Sequence, residues 1–332
     1  MLYYVIRRVI YMVLVLFLLS VVSFVIIQLP PGDYLSSYIM ELAKSGSEID
    51  EAVLSSLRKQ YGLDLPVYFR YFKWMWGMFQ GNFGRSFAWN EPVAKLLAER
   101  LPLTITISLF ALIFTYAVAV PIGIYSAVRQ YSVGDYFFTG VGFIGLATPN
   151  FLFALILMFV FFKYFGLSVG GLFSPEYIRA AWDVGKLVDF LKHLPIPIIV
   201  IGTAGTAGLI RIMRGCLLDE LKKQYVITAR AKGVKENTLL FKYPVRAAIN
   251  PIISTIGWTL PVIVSGETIT AIVLGLPTTG PLLYTALISQ DIYLSASTLM
   301  LLSFLTVVGT VISDILLVVV DPRIRYEKRA KG

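Results

Sequence analysis

The chain has 332 residues, of which 57% are hydrophobic and 15% charged, with a mean hydropathy of +0.75 and a formal net charge of +9. A soluble domain is roughly 45–50% apolar and about 25% charged, so composition alone defines a membrane protein and excludes a disordered chain. One cysteine, Cys216, excludes an internal disulfide framework, and one histidine, His193, excludes a two-histidine zinc pattern, so no metal site is expected.

A spanning helix needs about 20 mainly apolar residues. The first such run is 9–29. Arg7 and Arg8 precede it. It is longer than the roughly 7–15 residues of a signal-peptide core and lacks a small-residue cleavage site, so it reads as an uncleaved anchor. Residues 30–102 follow as an extracytoplasmic segment. Tyr68, Tyr71, Phe72, Trp74, Trp76, Phe79 and Phe83 give it material for short helices packed on the outer ends of the spans. Further runs lie at 103–128, 136–165, 194–214, 247–272 and 294–320. The run at 136–165 is too long for a straight perpendicular helix, and Pro149 predicts a kink or tilt within it. The expected fold is an all-α membrane protein of six transmembrane helices with a helical outer segment between spans one and two. The expected organisation is 1–29 (N-terminal segment and first span), 30–102 (outer segment), 103–320 (five-span core with an inner loop at 215–246) and 321–332 (basic tail).

Six spans put both termini on one side, and the positive-inside rule says which. With the N-terminus inside, 17 of the 29 basic residues fall in inner segments, including the tract from Arg211 to Arg246 and the tail from Arg323 to Lys331. The outer segment 30–102 carries eight basic and eight acidic residues. The excess charge is therefore an orientation signal and not a nucleic-acid footprint. It predicts a multi-pass protein of the cell membrane with cytoplasmic termini.

Gly140, Gly142 and Gly145 match GxGxxG, but they sit inside an apolar span and not after a strand. Together with Gly202, Gly205 and Gly208 they read as close-packing positions between helices. No GxxxxGK[ST] loop is present, so no ATP binding through a phosphate loop, and no enzymatic activity of the chain by itself, is expected. Glu267 and Asp314 fall at or within spans, where acids cost about 2.5–3.5 kcal/mol on insertion scales and often line polar paths. Two bland alternatives stand beside that reading: Glu267 meets water at a span end, and Asp314 pairs with a neighbouring helix.

The inner loop carries the most information. Arg211 and Arg214 share one helical face at the inner end of the fourth span, suited to a gate or to snorkelling toward lipid phosphate. Residues 224–236 follow as a short helix in which Gly233 suits a C-terminal cap. Ala229 and Gly233 are four apart and present little side chain, as a protein-docking face would. A basic helix lying on the lipid surface fits the same spacing.

The stretch Tyr225-Val-Ile-Thr-Ala-Arg-Ala-Lys-Gly233 resembles the cytoplasmic signature of ABC-importer permeases, most closely the oligopeptide/dipeptide/nickel permease family. Family elements follow in order along nearly the whole chain: Leu29 to Asp33, Tyr61 to Pro66, Gly81 to Ser86, Glu91 to Val93, Arg211 and Arg214, Asn250-Pro251, Gly266 to Thr268, Asp291, and Asp321 to Arg325. There are departures. Ile227-Thr228-Ala229 stands where the wider signature opens Glu-Ala-Ala, Asn82 replaces an Asp, and the link Thr270 to Gly280 is longer than usual.

The resemblance implies a type I importer fold and a set of partners. These are a second, homologous permease in a heterodimer, two ATP-binding subunits that carry the ATP and magnesium, an extracytoplasmic solute-binding protein and the lipid bilayer. No cofactor belongs to this chain. It implies that 224–236 is a coupling helix, with Tyr225, Thr228, Ala229, Arg230, Ala231, Lys232 and Gly233 facing an ATPase. Thr259, Ser265 and Glu267 on the fifth span are polar positions suited to a translocation path. Oligopeptides or dipeptides are the expected solutes, with oligosaccharides as the alternative. A self-sufficient secondary transporter or channel is the competing class, but the chain lacks a visible inverted repeat.

Overall fold

The structure is a computed structural model that describes residues 2–29 and 64–320, apart from Glu267, together with Ile39 and Ser55. Most of the outer segment before Asp64, the tail 321–332 and Glu267 therefore lie outside the described residues, as do the elements Pro30 to Asp33 and Asp321 to Arg325. Thirteen helices are described: α1 (Leu2–Ile27), α2 (Val67–Phe79), α3 (Val93–Val128), α4 (Val133–Ala147), α5 (Asn150–Phe165), α6 (Val184–His193), α7 (Pro195–Leu221), α8 (Gln224–Ala231), α9 (Glu236–Lys242), α10 (Pro244–Gly266), α11 (Thr268–Val273), α12 (Thr279–Ile288) and α13 (Ile292–Val320). No strand occurs among the described residues, where an isolated antiparallel bridge pairs Arg85 with Pro92.

Four helices contain stretches long and apolar enough to cross a membrane: Val9–Ile27 of α1, all of α3, all of α7, and Ile292–Ile315 of α13. The pair α4 and α5 passes the same test jointly, which makes up to five spans among the described residues. This supports an all-helical, multi-pass membrane protein. The expected fifth span corresponds to α10, which carries Arg246, Asn250, Ser254, Thr255 and Thr259 and has several side chains between Trp258 and Gly266 outside the described ones.

The run at 136–165 is a break sharper than the expected kink. Its two helices meet at 104°. Pro149 offers no N–H to continue a helix, and a residue preceding proline is pushed toward extended backbone. Thr148 is extended, with ψ 119°, and its N–H and hydroxyl both donate to the Ile144 carbonyl, at 3.0 and 2.8 Å. That closes α4 before α5 begins. Span two also starts earlier than expected. Its helix begins at Val93, so the last ten residues of the sequence-defined outer segment are the first turns of α3.

The described residues form two compact units, one drawn from 2–104 with 277–307, the other from 105–276 with 308–320. The core of the first unit gathers Phe24, Trp74, Phe87, Ile292 and Ala296, with Val93, Leu96, Leu97, Leu282 and Leu294 beside them. Asp291, fully buried, ties this unit together. Its carboxylate accepts the Ser86 hydroxyl at 2.5 Å and the N–H groups of Phe87 at 2.7 Å and Leu294 at 3.1 Å, so it fixes the loop before α3 and caps α13 at once.

The core of the second unit is built where α3, α7 and α10 meet, from Ala119, Ala127, Leu209, Ile210, Met213, Leu217, Val245, Ala248 and Ile252. Small residues permit that approach. A methyl at Gly202 would lie 2.5 Å from the Phe114 ring and 3.1 Å from the Ala111 carbonyl oxygen. The other glycines differ. A methyl at Gly142, Gly145 or Gly205 would make ordinary contacts, and one at Gly140 or Gly208 would meet open space. The packing expectation thus holds firmly at Gly202 alone of the six.

Candidate functional site: the loop between α7 and α10

The segment 222–243 is two short helices fastened to the core beneath them. Val226 of α8 and Leu239 of α9 are both fully buried, and Val245 joins the α3–α7–α10 core. These apolar anchors alternate with ion pairs. Glu220, near the end of α7, accepts Lys223 Nζ at 2.6 Å and the Tyr225 hydroxyl. Burial first, then that bond to Glu220, pushes the Tyr225 hydroxyl up to about 12, so it remains a proton donor at neutral pH. Across the turn between the short helices, Arg230 Nε and Nη2 donate to the two Glu236 carboxylate oxygens at 2.5 and 3.2 Å.

The predicted single helix 224–236 is in fact a helix, a turn and the start of a second helix. α8 ends at Ala231, and Gly233 adopts φ +76°. The Val234 N–H donates to the Ala229 carbonyl at 3.3 Å and the Gly233 N–H to the Arg230 carbonyl at 3.0 Å. This pair of bonds is a Schellman cap, which needs a left-handed residue at its turn and so accounts for glycine there. A methyl on Gly233 would meet nothing within 4 Å, so its outer side is open. Tyr225, Ile227, Thr228, Arg230, Ala231, Lys232 and Gly233 are exposed, and Ala229 is partly so. The seven residues read from the signature therefore share one accessible, rigidly based segment.

The two basic residues in the C-terminal half of α7 part company. Arg211 is exposed, its guanidinium 5.8 Å from the Phe143 ring centroid. Arg214 donates to both carboxylate oxygens of Asp135 at 3.2 and 2.9 Å. Asp135 is buried in the first turn of α4, which Ser132 caps by accepting the Asp135 N–H at 3.2 Å. Sequence reading missed Asp135. Its available signal was the serine three residues before it at the head of an apolar run, a helix-start pattern.

Of the expected path residues, Thr259 is partly buried on α10, one helical turn from Thr255, whose Oγ1 lies 2.5 Å from the Tyr116 hydroxyl of α3. On the facing helices, Thr115 and Thr206 donate to the Gly202 carbonyl, each at 2.8 Å. A polar strip thus crosses the α3–α7–α10 contact, and sequence reading found one of its residues. The Ser265 side chain and Glu267 lie outside the described residues. Asp314 is partly buried on α13.

An apolar multi-helix body with an anchored, charged loop between two of its helices fits a membrane permease. Residues 119–326 match the family described as "Binding-protein-dependent transport system inner membrane component", and residues 1–108 match the description "Binding-prot-dependent transport system membrane comp, N-term". The chain belongs to this family, as a permease of the peptide/dipeptide branch of ABC importers. It is 36% identical over 325 residues to an oligopeptide transport system permease protein, AppB, of Bacillus subtilis, covering 97% of this chain and 99% of that one. It is 34% identical to the inner membrane ABC transporter permease protein YejB of Escherichia coli O157:H7, over 86% of this chain and 79% of that one. A peptidoglycan transport system permease protein, YejB of Agrobacterium fabrum, is 29% identical over 98% and 99% of the two chains.

Proposed function

We propose that this chain is one membrane subunit of a binding-protein-dependent importer for oligopeptides, with α8 and its cap as the element that couples transport to ATP hydrolysis. The complete subunit has six spans, with α10 and the bent α4–α5 pair each counted as one. Its termini and the α8–α9 loop are cytoplasmic. It pairs with a second, homologous permease above two ATP-binding subunits that supply ATP and magnesium, and it receives solute from an extracytoplasmic binding protein. The chain itself hydrolyses no ATP and needs no cofactor. Peptides are favoured over oligosaccharides because the Bacillus subtilis relative, 36% identical over nearly the whole chain, carries oligopeptide transport in its name.

One observation carries the coupling role: an exposed, small-residue segment whose base is locked into the α7–α10 junction. A displacement applied at Ala229 or Gly233 acts on Val226 and Leu239, which are packed without exposure, and cannot be absorbed locally. The strip of Tyr116, Thr255 and Thr259 on the same helix set fits one wall of a polar path, with Ser265 and Glu267 further along it. Arg211 and Arg214 flank its inner end.

The test is uptake and binding-protein-stimulated ATPase activity of the assembled importer in vesicles, for wild type, Gly233→Ala and Gly233→Trp. Both variants carry the cost of a side chain at positive φ, about 1–2 kcal/mol. Only Trp also adds bulk to the docking face. Uptake is expected to fall at least tenfold for Gly233→Trp and only slightly for Gly233→Ala, with assembly of both retained. Equal, near-normal activity of the two variants would remove α8 from the coupling path.

A further inference from the structure

We propose that α2 is an interfacial helix whose aromatic face lies in the lipid of the leaflet at the C-terminal end of α1, with Lys73 at the edge of that face meeting lipid phosphate. Under the proposed orientation this is the outer leaflet. The solute plays no part in the argument.

Depth is the first observation. The inner face of α2 packs on α1: the Tyr71 and Ser20 hydroxyls are 2.8 Å apart, and the Phe24 ring lies 5.5 Å from Trp74 and 5.4 Å from Tyr71. The apolar stretch of α1 ends at Ile27. At 1.5 Å per residue, Phe24 and Ser20 lie about 5 and about 10 Å inside that end. Interfacial helices bury their apolar faces about 5–10 Å into the headgroup and acyl boundary, so α2 sits at their depth.

Composition is the second. On the other side of α2, Tyr68, Phe69, Phe72, Trp76 and Phe79 are 56–80% exposed. At about 100° per residue they fall within an arc of about 100°. Five bulky aromatic residues without a small one among them do not suit a permease–permease contact, where small residues let backbones approach. They do suit the aromatic belt at a membrane surface. Trp74, on the opposite side, is only 2% exposed, so the helix has two apolar faces and needs a non-aqueous medium on the second.

Charge is the third. Lys73 follows the aromatic arc around the helix by about 40° and lines a cleft of about 460 Å³ with Arg85, Asn82 and Tyr293. No acid stands among its described lining residues. A cation at the seam between an acyl-facing surface and a basic cleft is placed for a headgroup phosphate.

The test uses the full chain with Cys216→Ser, reconstituted in nanodiscs, with spin labels at Phe72→Cys or Trp76→Cys. Labels at both positions are expected to be relaxed by oxygen and shielded from a nickel chelate, as in lipid. Access to the nickel chelate would place the face in water, and exclusion of both relaxants would place it against protein; either result overturns the proposal. For the headgroup contact, phosphatidylglycerol is added to the detergent-solubilised chain in place of phosphatidylcholine. It should raise the melting temperature of wild type, and Lys73→Gln should lose at least half of that rise. An undiminished rise in the variant, or an equal rise from inorganic phosphate alone, would overturn the lipid contact.

Discussion

Asp135 and Arg214 show how much a single pairing decides. The two arginines in the C-terminal half of α7 are three residues apart, and their shared face is plain from spacing. Their different fates are not, because the partner of Arg214 lies 79 positions away on α4. The Asp135 side chain is 3% exposed and that of Arg214 28%. Removing the acid strands a cation that water reaches only in part. Breaking a fully buried pair costs about 3–5 kcal/mol; with Arg214 partly wet, Asp135→Ala should cost about 2–3 kcal/mol. The double variant Asp135→Ala with Arg214→Gln should recover a large share of this, since no charge remains unpaired. Denaturation in detergent through a double-mutant cycle measures the coupling. Additive effects would show that the pair contributes nothing beyond its separate members.

Among the elements, the link from α5 to α7 is the one that sequence reading described least. Hydropathy marks where apolar runs lie, so α1, α3, α7 and α13 were legible in outline. The 104° break was legible as a bend at Pro149 but not in its size, which depends on the extended Thr148. α6 was not anticipated, because its polar residues face inward. Lys186 Nζ donates to the Ala180 carbonyl at 2.6 Å, 4.9 Å from the Phe173 ring centroid, while Val184, Leu187 and Leu191 face outward. Asp189 closes this loop by accepting the Ser174 N–H and hydroxyl, each at 2.7 Å. Burial works against the charged carboxylate, but the Ser174 bonds, then His193 and Lys192, hold it below the usual range. A depressed folded pKa gives stability that is present above the unfolded value, about 3.9, and lost as pH falls through the folded one. Wild type should therefore melt above Asp189→Asn at pH 7, and the gap should narrow as the pH falls below about 4. A gap that stays constant with pH would mean that the carboxylate charge plays no part in closing the loop.

For the whole molecule, the decisive quantity is which ends of the helices share a side of the membrane. Family membership and apolar helices establish a multi-pass protein. Orientation rests on the excess of Lys and Arg between Arg211 and Arg246 and in the two terminal segments. The fold adds a consistency requirement. Ala88 stands just before α3 and Asn237 lies on α9; both are exposed, and α3, the α4–α5 pair and α7 lie between them along the chain. With six spans they must lie on opposite sides. With the bent α4–α5 pair re-entrant instead of crossing, the order reverses beyond it and they share a side. Cys216→Ser provides a cysteine-free background for Ala88→Cys or Asn237→Cys. In intact cells whose outer envelope admits the reagent, a membrane-impermeant maleimide should label position 88. Position 237 should react only after the membrane is opened. Labelling of both positions from outside would favour the re-entrant arrangement, and labelling of 237 alone would invert the orientation. Either pattern would move α8 away from any cytoplasmic ATPase, so this measurement tests the coupling proposal at its base.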